Sequence, residues 1–284
     1  MIEILQYDFA QRAVIAAVLI GLVAPIIGVF LVQRRLALLG DGTGHVALTG
    51  VGLAIFFNWA PIPMALLAAA IGAISIEIIR DKSKAAGDLA LALMFYGGIA
   101  GGVMFVSLAP ASSSTTLNSY LFGSLTTASN SDLLALVLIS FAIIVALFLW
   151  GRQMFAVGVD TDVAKVLKIP VRFNAILLAI LSAGTVVVGM RVVGLLLVSA
   201  IMIVPVAAAQ QLTKSFKSTM FYGSLIGLIS SIVGLLISFS VDVPPGPTIV
   251  ILALLIFVIF TVLAAPINRR TRPKVVKHEH EISP

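Results

Sequence analysis

Asp41 and His45 are the residues of this chain best suited to do chemistry. They lie in Gly40-Asp41-Gly42-Thr43-Gly44-His45, inside a stretch apolar enough to sit in a membrane. His45 is the only histidine outside the far C-terminus, and the four-residue spacing puts both side chains on one helical face. Ionisable groups at membrane depth are costly, so they usually face a bundle interior or a pathway. A carboxylate with an imidazole suits a divalent transition metal. Two readings stand side by side: a buried Asp–His contact that locks helices together, and a pair of ion ligands along a transport path. The acid four residues before the histidine and a depth near midplane favour the path. Two side chains do not complete the four-ligand shell that zinc usually takes, so water, backbone or other helices must supply the rest.

The elements that position this pair are membrane helices. The chain has 284 residues, is 60% hydrophobic and only 11% charged, with a mean hydropathy of +1.16. A soluble domain carries about a quarter charged residues. The absence of cysteine excludes disulfides, thiolate metal sites and cysteine nucleophiles. Apolar runs long enough to cross a bilayer, about 20 residues each, fall near 13–33, 37–57, 64–80, 88–108, 131–150, 173–190, 192–210, 218–240 and 248–266. The fold class expected is therefore all-α and integral to the membrane, a polytopic bundle of eight or nine crossings. The run 192–210 contains Pro205 and is the one most open to being broken or re-entrant.

Charge fixes the expected direction. Arg34, Arg35, Arg80, Lys82, Lys84, Arg152, Lys165, Lys168, Arg172, Lys214 and Lys217 fall in alternate links, and the tail adds Arg269, Arg270, Arg272, Lys274 and Lys277. Sixteen of the eighteen Lys and Arg thus share one side, leaving Arg12 and Arg191 on the other. By the positive-inside rule the N-terminus is outside and the C-terminus inside. The net charge of +6 is topological, and no nucleic-acid partner is expected. Residues 1–268 read as a transmembrane domain and 269–284 as a basic, histidine-containing cytoplasmic tail without fixed structure. The N-terminus carries Glu3 and Asp8 and lacks the basic start of a signal peptide. Along α-helical backbone Asp41 lies about 9 Å above Arg35 and His45 about 15 Å.

The other polar groups have simpler readings. Glu77 and Arg80 suit an i,i+3 ion pair at the inner interface. Asp88 suits the first turn of the fourth span. Arg191 is expected to snorkel to headgroups, and Asp242 opens a rigid turn, Asp242-Val243-Pro244-Pro245-Gly246-Pro247. The tail segment Lys277-His278-Glu279-His280-Glu281 is expected to be solvated. The chain lacks G-x-x-x-x-G-K-[ST], H-E-x-x-H and G-x-S-x-G, so it is not expected to be an enzyme.

Arg34-Arg35-Leu36-Ala37-Leu38-Leu39-Gly40-Asp41 running on to His45 and Gly50-Val51 resembles the zinc/manganese permease family of ABC importers. Members typically read R-R-x-S-L-L-G-D-x-x-S-H-A-x-x-P-G there. Three more segments resemble the family in order: Leu117 to Gly123, Val193-Gly194-Leu195-Leu196-Leu197-Val198 with Pro205, and Asp242 to Thr248. The likeness runs from about residue 10 to residue 266. Thr43-Gly44 stands where members have a Leu-Ser-like pair, Thr49 replaces a common proline, and Lys168 replaces the glycine of D-x-x-x-A-x-x-L-G-x-P.

The resemblance implies a homodimer in a prokaryotic cell membrane with the path at the dimer interface. It also implies a separate cytoplasmic ATPase that hydrolyses ATP, and an extracytoplasmic metal-binding protein that delivers the ion. Asp41 and His45 map onto the family's proposed ion-binding positions. The loop 158–172 is the candidate ATPase contact, with Ala164 and Leu167 offering a short apolar face. The binding protein would dock on the outer loops around 109–130 and 241–247. No cofactor is expected to stay bound. Zinc suits imidazole and is the expected cargo, with manganese next and ferrous iron third. A proton-coupled secondary transporter is the rival, ranked lower because intramembrane carboxylates are sparse.

Overall fold

The computed structural model describes residues 6–82, 84–109, 119–123 and 130–270, and every regular element among them is helical. In chain order these are α1 (Asp8–Gln33), α2 (Leu39–Phe56), α3 (Pro61–Lys82), α4 (Lys84–Leu108), α5 (Asn130–Val159), α6 (Thr161–Val166), α7 (Val171–Val192), α8 (Leu195–Leu212), α9 (Phe216–Val241) and α10 (Pro245–Arg270). A short helical turn occupies 119–122.

Seven of these, α1, α3, α4, α5, α7, α9 and α10, are long and apolar enough to cross a membrane. The sequence expectation of eight or nine spans rests on also counting α2 and α8, each 18 residues long. Asp41, His45 and five glycines dilute the hydropathy of α2, and α8 follows a break in the chain at Gly194. Pro205 does not interrupt α8, which runs continuously past it. The break lies earlier, where Gly194 takes φ +95°.

Burial sorts the helices into an inner and an outer set. In the apolar windows of α1 and α7, 67% and 72% of residues are buried, against 22% in α4, α5 and α10. A helix apolar on all sides belongs inside. By that criterion α2 is also interior, with buried residues round its whole circumference from Leu39 to Ala54. It packs most extensively on α4 and α3, and also meets α7 and α8. The hydrophobic core runs through Ile20, Ile27, Leu31, Leu48, Met190, Ile201 and Met202 at the contacts of these inner helices.

Helix ends carry the sharp turns. Arg35, Asn58 and Lys168 each have φ between 56° and 58° just beyond a helix C-terminus, the left-handed stop that closes a helix. Arg35 closes α1 in the left-handed conformation, and five residues join α1 to α2.

Two polar clusters mark opposite ends of the bundle. At one, Glu77 bonds Arg80 at 2.8 Å and Arg34 at 3.4 Å, so the expected i,i+3 pair is present and has a second cation from α1. At the other, Arg191 is not a snorkelling side chain. It forms an ion pair with Asp132, both mostly buried, and its guanidinium lies 4.8 Å over the Tyr120 ring. A countercharge on α5, 59 residues away, outcompetes solvent there. Asp88 also departs from expectation: α4 starts at Lys84, four residues earlier, so the exposed Asp88 lies beyond the first turn. Asp242 does sit in a left-handed turn, capping α9.

Candidate functional site

Asp41 stands in the first turn of α2, where the helix dipole favours a carboxylate. Thr43 fixes that turn by donating to the carbonyls of Leu39, at 2.9 Å, and Gly40, at 3.1 Å. One turn on, His45 is 5% exposed. The two side chains share a face and interact electrostatically. The Asp41 carboxylate accepts a hydrogen bond from the Ser199 hydroxyl of α8. It has no cation of the described residues paired with it. The His45 ring meets Phe95 edge-on, with centroids 4.2 Å apart, and its Nδ1 is buried without a hydrogen bond among the described residues.

The packing that holds His45 depends on the absence of side chains on α4. A Cβ at Gly98 would sit 2.4 Å from the His45 carbonyl carbon and 2.5 Å from its oxygen. Helix α4 therefore lies directly on the backbone of α2 at the histidine. Thr49, the residue standing where the family motif has proline, donates to the Gly98 carbonyl at 2.9 Å and ties the same two helices together. The departure from the motif thus fills a packing role.

A second arrangement joins three of the segments that carried the family resemblance. A Cβ on Gly194 would fall 2.4 Å from the Phe122 carbonyl carbon, and one on Gly246 only 1.9 Å from the Val193 carbonyl oxygen. Residues 122–123, 193–194 and 246 therefore meet backbone to backbone. Only glycine at 194 satisfies both the close approach and the positive φ.

The loop 158–172 contains α6, capped by the Asp160 carboxylate on the Asp162 and Val163 amides. The expected apolar face is corrected in its membership. Ala164 is fully buried against the bundle, because α6 lies back on α5 and α7. Val163, Val166 and Leu167 are the exposed apolar residues, at 54%, 81% and 63%. Of the outer loop 109–130, residues 110–118 and 124–129 lie outside the described residues, as does the tail 271–284 with His278 and His280.

Among the described residues no three of His, Cys, Asp and Glu come together as a metal-binding group. The pair Asp41 and His45 is brought together, and neither has a third acidic or imidazole partner among the described residues. Sequence reasoning missed Ser199, Phe95 and Gly98. Ser199 follows directly on Val193-Gly194-Leu195-Leu196-Leu197-Val198, but nothing in its own type signals a contact 158 residues away.

The described residues form a helical bundle in which seven helices are long and apolar enough to cross a membrane. The chain belongs to the ABC 3 transport family, whose model matches residues 6–264. It is 30% identical to the manganese import system permease protein ScaB of Streptococcus gordonii, over 95% of this chain and 96% of that one. It is 30% identical to the chelated iron transport system membrane protein YfeD of Yersinia pestis, over 89% and 84%. PsaBC from Streptococcus pneumoniae, solved in complex with Fab, superposes with a TM-score of 0.83 at 31% identity, covering 91% of this chain and 93% of that one. The protein is a multi-pass component of a prokaryotic cell membrane.

Proposed function

We propose that the chain is the membrane-spanning permease of an ABC importer for a divalent transition metal, with Asp41 and His45 as ion ligands. The observation that carries this reading is a half-buried carboxylate beside a buried imidazole on one face of an interior helix, with no countercharge from the described residues. A charge kept in such a place without a partner is a functional-site signal. Helices α1–α5 and α7–α10 make nine crossings, with the N-terminus outside. The Arg34–Glu77–Arg80 end then faces the cytoplasm and the Arg191–Asp132 end faces out.

Two ligands per chain are too few for a complete shell, and a second copy across a twofold axis doubles them. The working unit is therefore a homodimer with the path at its interface. A separate ATPase docks on α6 through Val163, Val166 and Leu167, and a metal-binding protein delivers the ion at the junction of 122–123, 193–194 and 246. The names of the relatives, manganese for ScaB and chelated iron for YfeD, favour manganese over the zinc suggested by the imidazole. An anionic carboxylate oxygen beside a hydroxyl also suits the harder ion.

The test is uptake of manganese, zinc and ferrous iron in competition, by proteoliposomes holding the permease with its ATPase and binding protein. The expected result is ATP-dependent accumulation that is lost in Asp41→Ala and His45→Ala while membrane insertion persists. Full uptake by both variants would reject the ligand assignment. Uptake that survives an inactive ATPase but collapses with the proton gradient would establish a secondary transporter instead.

A further inference from the structure

We propose that Ser199 is the positioning residue of the ion site: its hydroxyl orients the Asp41 carboxylate and ties it to the outer backbone junction. The inference rests on the reading of Asp41 as an ion ligand and extends it to a residue on another helix.

Three observations converge on Ser199. It is 8% exposed, so its hydroxyl needs an internal partner, and it donates to one oxygen of Asp41. That bond occupies a single carboxylate oxygen and leaves the other for an ion. It also fixes the carboxylate plane, which a flexible aspartate in a glycine-rich turn would not do for itself. Space around it is tight but not closed: a Cβ on Gly40 would lie 3.6 Å from the Ser199 Cβ and 3.7 Å from the Met202 sulfur.

The position of Ser199 along α8 gives the bond a second consequence. Five residues before it stands Gly194, locked by its positive φ and by contact with the backbone at 122–123. Gly246 closes on Val193 from the other side. Helix α8 is hydrogen-bonded back to that junction, with the Leu197 and Val198 amides both donating to the Gly194 carbonyl. Five helical residues span about 7.5 Å. A displacement of the junction is therefore carried as a rigid step of helix to Ser199, and from its hydroxyl to Asp41. Arg191–Asp132 anchors α7 at the same end.

The experiment is concentration-dependent manganese uptake by the complete transporter in proteoliposomes, corrected for the amount of inserted protein. Wild type is compared with Ser199→Ala, Ser199→Thr, Ser199→Cys and Asp41→Ala. Loss of a hydrogen bond to a charged group should raise the apparent KM of Ser199→Ala about tenfold or more, with a much smaller change in maximal rate. Ser199→Thr keeps the hydroxyl and should return KM to within about threefold of wild type. Ser199→Cys fills nearly the same space with a weak donor, and decides the matter if the alanine variant fails to accumulate. Its KM should rise in the same direction, and manganese is the right ion because a thiol adds little affinity for it.

Wild-type KM in Ser199→Ala, or in Ser199→Cys where alanine is lost, overturns the proposal while leaving Asp41 in place as a ligand. A reduced rate at unchanged KM overturns it as well, because a merely structural residue behaves that way. Undiminished uptake by Asp41→Ala removes the ligand assignment itself, and the role of Ser199 with it.

Discussion

Asp41 and Glu77 are both acids on interior-facing sides of membrane helices, and the chain treats them oppositely. Glu77 is surrounded: Arg80 comes from its own helix and Arg34 from α1, and all three side chains are less than a fifth exposed. Its charge is consumed by structure. Among the described residues Asp41 receives only a neutral hydroxyl, and it lies one helical turn from an imidazole whose Nδ1 has no partner there. The difference teaches that burial of an acid alone does not mark function. On the function proposed above, an acid left without a cationic partner among the described residues does.

The largest expected effect breaks this comparison directly. Asp41→Asn keeps the shape and the hydrogen bond to Ser199 but removes the charge. Metal uptake should fall at least about a hundredfold, the loss expected when a ligand charge vanishes from a low-dielectric site. The amount and melting temperature of the protein should change little. Glu77→Gln should do the reverse. It leaves two partly buried guanidinium groups with no countercharge, a cost of about 2 kcal/mol once solvent screening is discounted. Lower Tm and lower yield are expected, with uptake per inserted molecule kept. If Glu77→Gln instead abolished transport at normal stability, the two acids would be equivalent and the contrast would be lost.

A smaller effect sharpens the same comparison through packing. Gly98→Ala forces a methyl against the His45 backbone, where carbonyl atoms cannot move aside as a side-chain tip would. Helices α4 and α2 must part by a fraction of an ångström, with a cost of about 1–3 kcal/mol. Because the clash is at the histidine, metal affinity should drop along with stability. Gly97→Ala is the control, since a Cβ there meets nothing within 4 Å. Equal uptake curves for the two variants would show that the α2–α4 contact does not set the site.

Much of this was legible in the sequence, and the omissions have a common cause. Hydropathy placed the helices within about five residues of where they lie, except that α5 runs nine residues past its expected end at 150, and the Asp41–His45 spacing does put both residues on α2. What could not be read were contacts across the bundle. Ser199, the countercharge of Arg191 and the inward face of Ala164 each depend on which helices become neighbours. In a chain where nearly every helix is apolar, local patterning carries little of that information. The glycines were legible as permissive, yet only the fold shows that Gly98 is the one pressed against His45.

The smallest effect concerns a position where motif and structure agree and the residue does not. Helix α6 ends in a pair of closing bonds, Ile169 amide to Ala164 carbonyl at 3.0 Å and Lys168 amide to Lys165 carbonyl at 2.9 Å. This pattern places residue 168 in left-handed conformation, and Lys168 has φ 57°. A side chain there costs about 1 kcal/mol, which explains the glycine of the family motif. Lys168→Gly removes that strain but gives the unfolded chain more freedom, worth about 0.5–1 kcal/mol in the opposite sense. The net change should be within about 1 kcal/mol, seen as a Tm shift of a few degrees or less. Uptake separates two roles for the lysine. If Val163, Val166 and Leu167 alone make the ATPase contact, ATP-driven transport by Lys168→Gly stays at wild-type level. A several-fold loss at unchanged Tm would instead make the Lys168 ammonium part of that contact, and the price of its strained backbone would then be explained by the partner it holds.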